Sequence, residues 1–176
     1  MSGKEILIQA IGFLGTALFF LSYQFRDNRT LFRVQFFSYL CYTVHLLCLG
    51  AVTGGISYLI NLVRSYCLSS DKPFLQSKRM CTILCTAQLL TLALSWDGLL
   101  SVLPVAANIA STLGGYSHSP RKVRLAGMLI NSPLWIVYDV AVGSWAGILD
   151  EVVSELSMLV SILRFGWKSL DEKEYS

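Results

Sequence analysis

Charge is what this chain has least of. Aspartate, glutamate, lysine and arginine make up 14% of its 176 residues, against about a quarter in an ordinary soluble domain. So little polar surface cannot clothe a water-soluble fold, and it excludes a membrane anchor carrying a separate soluble catalytic domain. The apolar content argues against disorder. Cysteine is sparse and unpatterned: the five residues lie in or beside apolar runs without the paired spacing of a disulfide scaffold. Cys81 and Cys85 stand four apart on one helical face. No further ligand lies near them in sequence, so they read as small packing residues and not as a metal pair. The two histidines, His45 and His118, are far apart, and there is no phosphate-binding loop or nucleophile–base set. No enzyme activity, metal or cofactor is expected, and the net charge of +3 does not point to a nucleic-acid partner.

What is present is apolar length. Hydrophobic residues make up 54% of the chain, and the mean hydropathy is +0.57. One crossing of a bilayer takes about 20 residues, because the hydrocarbon core is about 30 Å thick and a helix rises about 1.5 Å per residue. Seven crossings would take about 140 residues on that basis and leave a few dozen for loops. Seven runs fit: Ile6–Gln24, Val34–Leu49, Val52–Val63, Met80–Trp96, Leu99–Tyr116, Leu125–Val142 and Trp145–Leu163. The third is short unless it continues past Arg64 to Leu68, with the arginine snorkelling to the interface. Glycine turns at Gly50–Gly55 and Gly143-Ser144, and an Asp97-Gly98 turn, divide runs too long for one crossing. The first run ends in Tyr23-Gln24-Phe25-Arg26 and not in a small-residue cleavage site, so it reads as retained and not as a signal peptide. The expected fold is an all-α integral membrane protein of seven transmembrane helices.

The few charges orient it. With seven spans, Lys4 is the only base on one side, and the other 13 of the 14 basic residues fall on the opposite side. Short cytoplasmic loops retain lysine and arginine, so the N-terminus is expected outside and the C-terminus in the cytoplasm. Six or eight spans would scatter the bases over both faces.

The chain also repeats itself. A shift of 93 residues superposes Tyr23 on Tyr116, Gly50 on Gly143 and Gly54 on Gly147 without a gap. The same register sets Arg29 on Lys122, Tyr42 on Trp135, His45 on Tyr138 and Asn61 on Ser154. Two triplets separated by one helix run parallel, as in transporters whose repeats are related by an axis along the membrane normal. The expected plan is three plus one plus three. Residues 1–68 form the first three-helix bundle, and 69–97 supply a loop and the linking fourth helix. Residues 98–166 form the second bundle, and 167–176 form a cytoplasmic tail.

The segments Gly12-Phe13-Leu14-Gly15 to Gln24-Phe25-Arg26 and Leu129-Ile130-Asn131-Ser132-Pro133-Leu134-Trp135 resemble the YgjV-type family of bacterial inner-membrane proteins over nearly the whole chain. That resemblance implies a multi-pass protein of the bacterial inner (plasma) membrane. More remotely, the plan is similar to the SWEET (MtN3) sugar facilitators and the PnuC vitamin-precursor transporters. Trp135-Ile136-Val137-Tyr138 matches a SWEET Trp-x-x-Tyr element, and Asn61 matches its asparagine, but the two lie in different triplets. Pro104 and Pro133 match helix prolines of that pattern, whereas Ile11 and Leu40 replace them in the first triplet. The resemblance implies a transport fold and leaves the solute open.

The candidate site follows from polar residues at helical spacing inside the runs. Asn131, Trp135 and Tyr138 share a face, as do Ser38, Tyr42 and His45. These stripes suit either a pocket that stacks on a ring and hydrogen-bonds hydroxyls, or interhelical packing. Asn61 with Ser57 and Arg64 makes a polar face, whose counterpart in the seventh run is Asp150, Ser154 and Ser157 with Glu151 and Glu155 beside them. Acids in hydrocarbon are costly and mark function by default. Glu155 stands ten residues beyond Trp145, roughly 15 Å deeper and near the midplane; its bland alternative is an ion pair with Arg64. Pro104 and Pro133 each remove a helical hydrogen bond, and Asn108 lies one turn after Pro104.

The expectation is a small-molecule transporter, uniporter or proton-linked, working by alternating access. Its partners would be the lipid bilayer and a modest-sized polar solute such as a sugar, nucleoside or vitamin precursor. Asn61, Asn108, Asn131, Trp135, Tyr138, Tyr42 and Ser154 are the expected lining, and Glu155, Asp150 and Glu151 the proton-linked candidates. The alternative is a non-transporting receptor or scaffold binding a lipid, peptide or partner helix.

Overall fold

The computed structural model describes residues 3–171. Lys173 and the rest of the charged tail expected at 172–176 lie outside the described residues. Seven helices without a strand occur among those described: α1 Gly3–Ser22, α2 Asn28–Cys48, α3 Val52–Ser69, α4 Lys78–Leu94, α5 Leu99–Gly115, α6 Pro120–Val142 and α7 Trp145–Phe165. By length and composition α1, α2 and α6 can each cross a membrane. α5 is apolar but shorter, and α7 carries Asp150, Glu151, Glu155 and Arg164.

The molecule is polar inside and apolar outside. Gln35, Gln88, Asn108, Thr112, His45 and Arg124 are buried, whereas Leu94, Leu99 and Leu163 are more than four-fifths exposed. That inversion suits a hydrocarbon solvent, where burying an apolar side chain gains little and an exposed polar one is costly.

Several helices begin earlier than their apolar runs. α2 starts at Asn28 and not at Val34, because the Asp27 carboxylate caps it by accepting from the Arg29 and Thr30 amides. α6 starts at Pro120 and not at Leu125. The Ser119 hydroxyl accepts from the Lys122 amide, and Pro120 needs no N–H in the first turn. Arg29, Arg33, Arg121, Lys122 and Arg124 therefore sit on helices and not in loops. Pro104 also departs from expectation. A 3-10 turn, Leu99–Ser101, opens α5, so Pro104 lies in the first turn of the α-helical part and removes no interior bond. Pro133 does disturb α6: the turn before it widens to π geometry over Gly127–Asn131, with the Ser132 amide donating to the Gly127 carbonyl.

Hydrogen bonds gather the loops into two opposite ends. At the basic end, Tyr116 Oη donates to Leu75 O (2.9 Å), Arg29 pairs with Asp71, and Arg121 pairs with Asp171 (2.6 Å). At the turn end, Thr53 Oγ1 donates to Ser95 O (2.7 Å), and His45 bridges Ile8 O and Ser144 Oγ (2.9 Å each). Successive helices therefore alternate in direction. α1 packs on α2 and α7, α3 on α2 and α5, and α4 covers α3 and α5 from outside.

Candidate functional site

Between α1–α3 and α5–α7 lies a buried void of only about 10 Å³. It is lined by Phe19, Tyr23, Tyr39 and Tyr58, by Asn61, Asn108, Asn131 and Ser132, and by Trp135, Asp150, Glu151 and Ser154. That is room for about one water molecule. Asn61 Nδ2 donates to Asn108 Oδ1 (2.6 Å), and Trp135 Nε1 donates to the same oxygen (3.3 Å). The remaining amide atoms, Asn61 Oδ1 and Asn108 Nδ2, have no hydrogen-bond partner, and neither do Asp150 Oδ1 and Ser154 Oγ. All four residues are at most 3% exposed. Buried polar atoms are nearly always paired, so four orphans around one void are unusual.

Rings wall this centre. Tyr42 stacks on Tyr58 (5.3 Å between centroids), Tyr58 meets Trp135 (4.4 Å), and Trp135 meets Tyr138 edge-on (5.5 Å). Tyr42 shares its hydroxyl hydrogen bonds with Thr16 and Ala146 O. A Cβ at Gly15 would stand 2.7 Å from the Tyr42 ring, so only glycine lets α1 lie this close to α2. The π turn in α6 sits beside Ser132, the polar partner of both Glu151 and Glu155.

Hydrogen bonds tie the helices together at both ends of the molecule. On the turn side, the Gly54 amide donates to the Tyr138 hydroxyl (3.1 Å). Tyr138 forms part of the floor of an open pocket of about 760 Å³ between the ends of α3, α4, α5 and α6, which also includes Thr53, Trp96 and Asp97. On the basic side, fully buried Arg124 closes the molecule. Its Nε donates to Ser161 Oγ (2.9 Å), and its Nη2 donates to Tyr23 O and Phe25 O (3.3 Å each). Arg124 thus ties α6 to α7 and to the end of α1.

The match to a family decides the assignment. A family model described as a bacterial inner membrane protein, Imp-YgjV, matches residues 6–169. The chain belongs to this family. No curated relative and no solved structure matches it. Family membership makes the hydrocarbon solvent a fact, and it sharpens the meaning of the buried acids.

Of the residues singled out in the sequence, the void brings together Asn61, Asn108, Asn131, Trp135, Asp150, Glu151 and Ser154. Tyr42 belongs to the ring wall, and Tyr138 lies one layer out. Glu155 does not border the void and is half-buried. Nor does it meet Arg64, whose Nη2 donates to Tyr39 Oη (2.5 Å). Arg64 does not snorkel: it is 2% exposed, with its guanidinium 5.4 Å from the centre of the Tyr39 ring. His45 and Ser38 serve packing bonds, Ser38 Oγ donating to Gly15 O (2.8 Å). Tyr39, Tyr58 and Ser132 were not singled out by spacing, although the repeat carried a signal for them. Tyr39 lies 93 residues before Ser132, Tyr58 before Glu151 and Asn61 before Ser154, and all six line the void. Among the described residues no group of three potential metal ligands occurs.

Proposed function

We propose that the protein is a small-molecule transporter of the bacterial inner membrane, working by alternating access at the void between α1–α3 and α5–α7. The observation that carries this reading is the meeting of three repeat-related pairs, Tyr39/Ser132, Tyr58/Glu151 and Asn61/Ser154, around orphaned polar atoms. Packing alone does not require unsatisfied amides and a carboxylate in hydrocarbon, where each costs several kcal/mol. The chain crosses the membrane seven times, with the basic end in the cytoplasm. Its parallel triplets are similar in plan to the SWEET and PnuC transporters. The closed void is then an occluded state. The Tyr138–Gly54 contact is the outer gate beneath an open vestibule, and Arg124 is the inner gate. Rocking one triplet against the other opens either gate and widens the centre around a polar solute. Asp150 and Glu151, more buried than Glu155, are our candidates to carry a proton.

Uptake into proteoliposomes tests this. A panel of polar metabolites is offered with and without an inward proton gradient. At least one solute is expected to accumulate, and Asp150→Asn combined with Glu151→Gln is expected to abolish the gradient's effect. No uptake or exchange of any solute, with sites in the void labelled by thiol reagents from one side only, would replace the transporter with a receptor.

A further inference from the structure

The centre is electrically divided. Beside the void that Asp150 and Glu151 border lies a second one of about 20 Å³, bordered by Arg64. The two share a wall made of Phe19, Tyr23, Tyr39 and Asn131. Arginine stays protonated under all ordinary conditions. Arg64 is buried, yet among the described residues its Nε and Nη1 donors have no partner, and no carboxylate there lies within ion-pair distance of it. At the other end Asp150 Oδ1 is equally orphaned. An unpaired buried charge is among the costliest arrangements in a protein, and one satisfied from outside lowers that cost.

We infer that the solute is a small zwitterion, an amino acid or a betaine, held with its carboxylate on Arg64 and its ammonium toward Asp150 and Glu151. The inference rests on the transport-site reading and narrows its substrate. Each half of such a ligand supplies what one end of the site lacks. The carboxylate accepts a charge-assisted hydrogen bond from one of the free Arg64 donors, Nε or Nη1. The ammonium meets the carboxylates within a wall of tyrosine and tryptophan rings, whose faces attract cations. Asn61 and Asn108 supply a further acceptor and donor on the acid side. A neutral sugar satisfies the hydroxyls and amides but leaves the Arg64 charge bare.

The experiment reads binding and uptake separately. Purified protein in nanodiscs is heated with each of the common L-amino acids and with glycine betaine. The same is done with alaninamide, which lacks the carboxylate, with lactate, which lacks the ammonium, and with D-glucose. At least one zwitterion is expected to raise the unfolding temperature at concentrations where alaninamide, lactate and glucose do not. Arg64→Gln is expected to weaken that zwitterion about tenfold or more, the usual scale for a lost charged hydrogen bond, while improving binding of the amide or amine analogue. Asp150→Asn is expected to shift preference toward the carboxylate-only analogue, and Arg64→Lys to keep part of the zwitterion response. Should Arg64→Gln not fold, Asp150→Asn and the wild-type panel still decide. Zwitterion binding without uptake sustains this inference and overturns the transporter. Uptake or binding of glucose with no response to any zwitterion overturns this inference and leaves the transporter standing. No response to any zwitterion, with or without uptake, also overturns it.

Discussion

The two halves of the chain share a backbone plan and divide the chemistry. Where α1–α3 present a ring, α5–α7 present an acid or a hydroxyl: Tyr58 stands against Glu151 and Tyr39 against Ser132 in the 93-residue register. Ser57 is matched by Asp150, Gly15 by Asn108, and Arg64 by Ser157. The glycines of the turn-end contacts, Gly54 and Gly147, are kept in both halves. A binding site gains from asymmetry, because a ligand with two unlike ends is then held in one orientation. The first half supplies most of the rings, one amide and the cation, and the second supplies the carboxylates, two amides and Trp135.

That division can be broken at its matched positions. Trp135→Ala in the second half should cost the most, about 3–5 kcal/mol of stability, since a large buried ring is removed with its contacts to Tyr58 and Tyr138. Its mate Tyr42→Phe loses only the hydroxyl's bonds to Thr16 and Ala146, on the order of 1 kcal/mol. Reversible unfolding in detergent measures both, and equal losses would show that the halves load the centre alike. The conserved backbone is tested next. A Cβ at Gly54 would meet the Tyr138 ring at 2.7 Å, whereas one at Gly147 would land on the buried Asp139 carboxylate. Gly147→Ala should therefore cost more than Gly54→Ala, within about 1–3 kcal/mol for overpacking. Adding Asp139→Ala should restore part of the loss at 147 and none at 54, as coupled neighbours do. Simple additivity at 147 would remove the contact from the argument.

Much of this arrangement was readable before any coordinates. The repeat register, the glycine turns and the polar positions Asn61, Asn131, Trp135 and Ser154 follow from spacing, because helical periodicity fixes which residues share a face. Helix starts were not, because a search for uncharged runs skips charged first turns, and α2 and α6 begin where Asp27 and Ser119 cap them. The 3-10 entry that makes Pro104 harmless has no compositional signature. Arg64 shows the deeper limit. A long cationic side chain near a helix end reads as snorkelling, and only the tertiary fold turns it inward onto Tyr39. Tyrosines suffer the same ambiguity, since a ring in a membrane helix serves an interface belt, a packing contact or a site wall equally well. Glu155 looked central by depth alone, while rotation about α7 gives that place to Asp150 and Glu151.

The smallest effect concerns the basic end, where the comparison is between a buried arginine held by neutral groups and a tether that titrates. Arg124 is held by carbonyls and a hydroxyl that stay neutral across physiological pH. Asp171 is different. Partial burial pushes its carboxyl up, but hydrogen bonds from Arg121 and Ser119, together with the Arg121 charge, outweigh that and hold it below the usual carboxylate range. The unfolded carboxyl titrates at about 3.9. Since the folded value is lower, the tether's contribution is complete above that pH and is lost as pH falls through the folded value. Between pH 5 and 8, therefore, hydrogen exchange in the turn Ser169–Asp171 should not change with pH beyond the intrinsic rate. Asp171→Asn should raise it at every pH in that window, for a loss of at most about 1 kcal/mol, as befits an ion pair near the surface. A rise in exchange already near pH 6 would mean that a group other than Asp171 controls the tether.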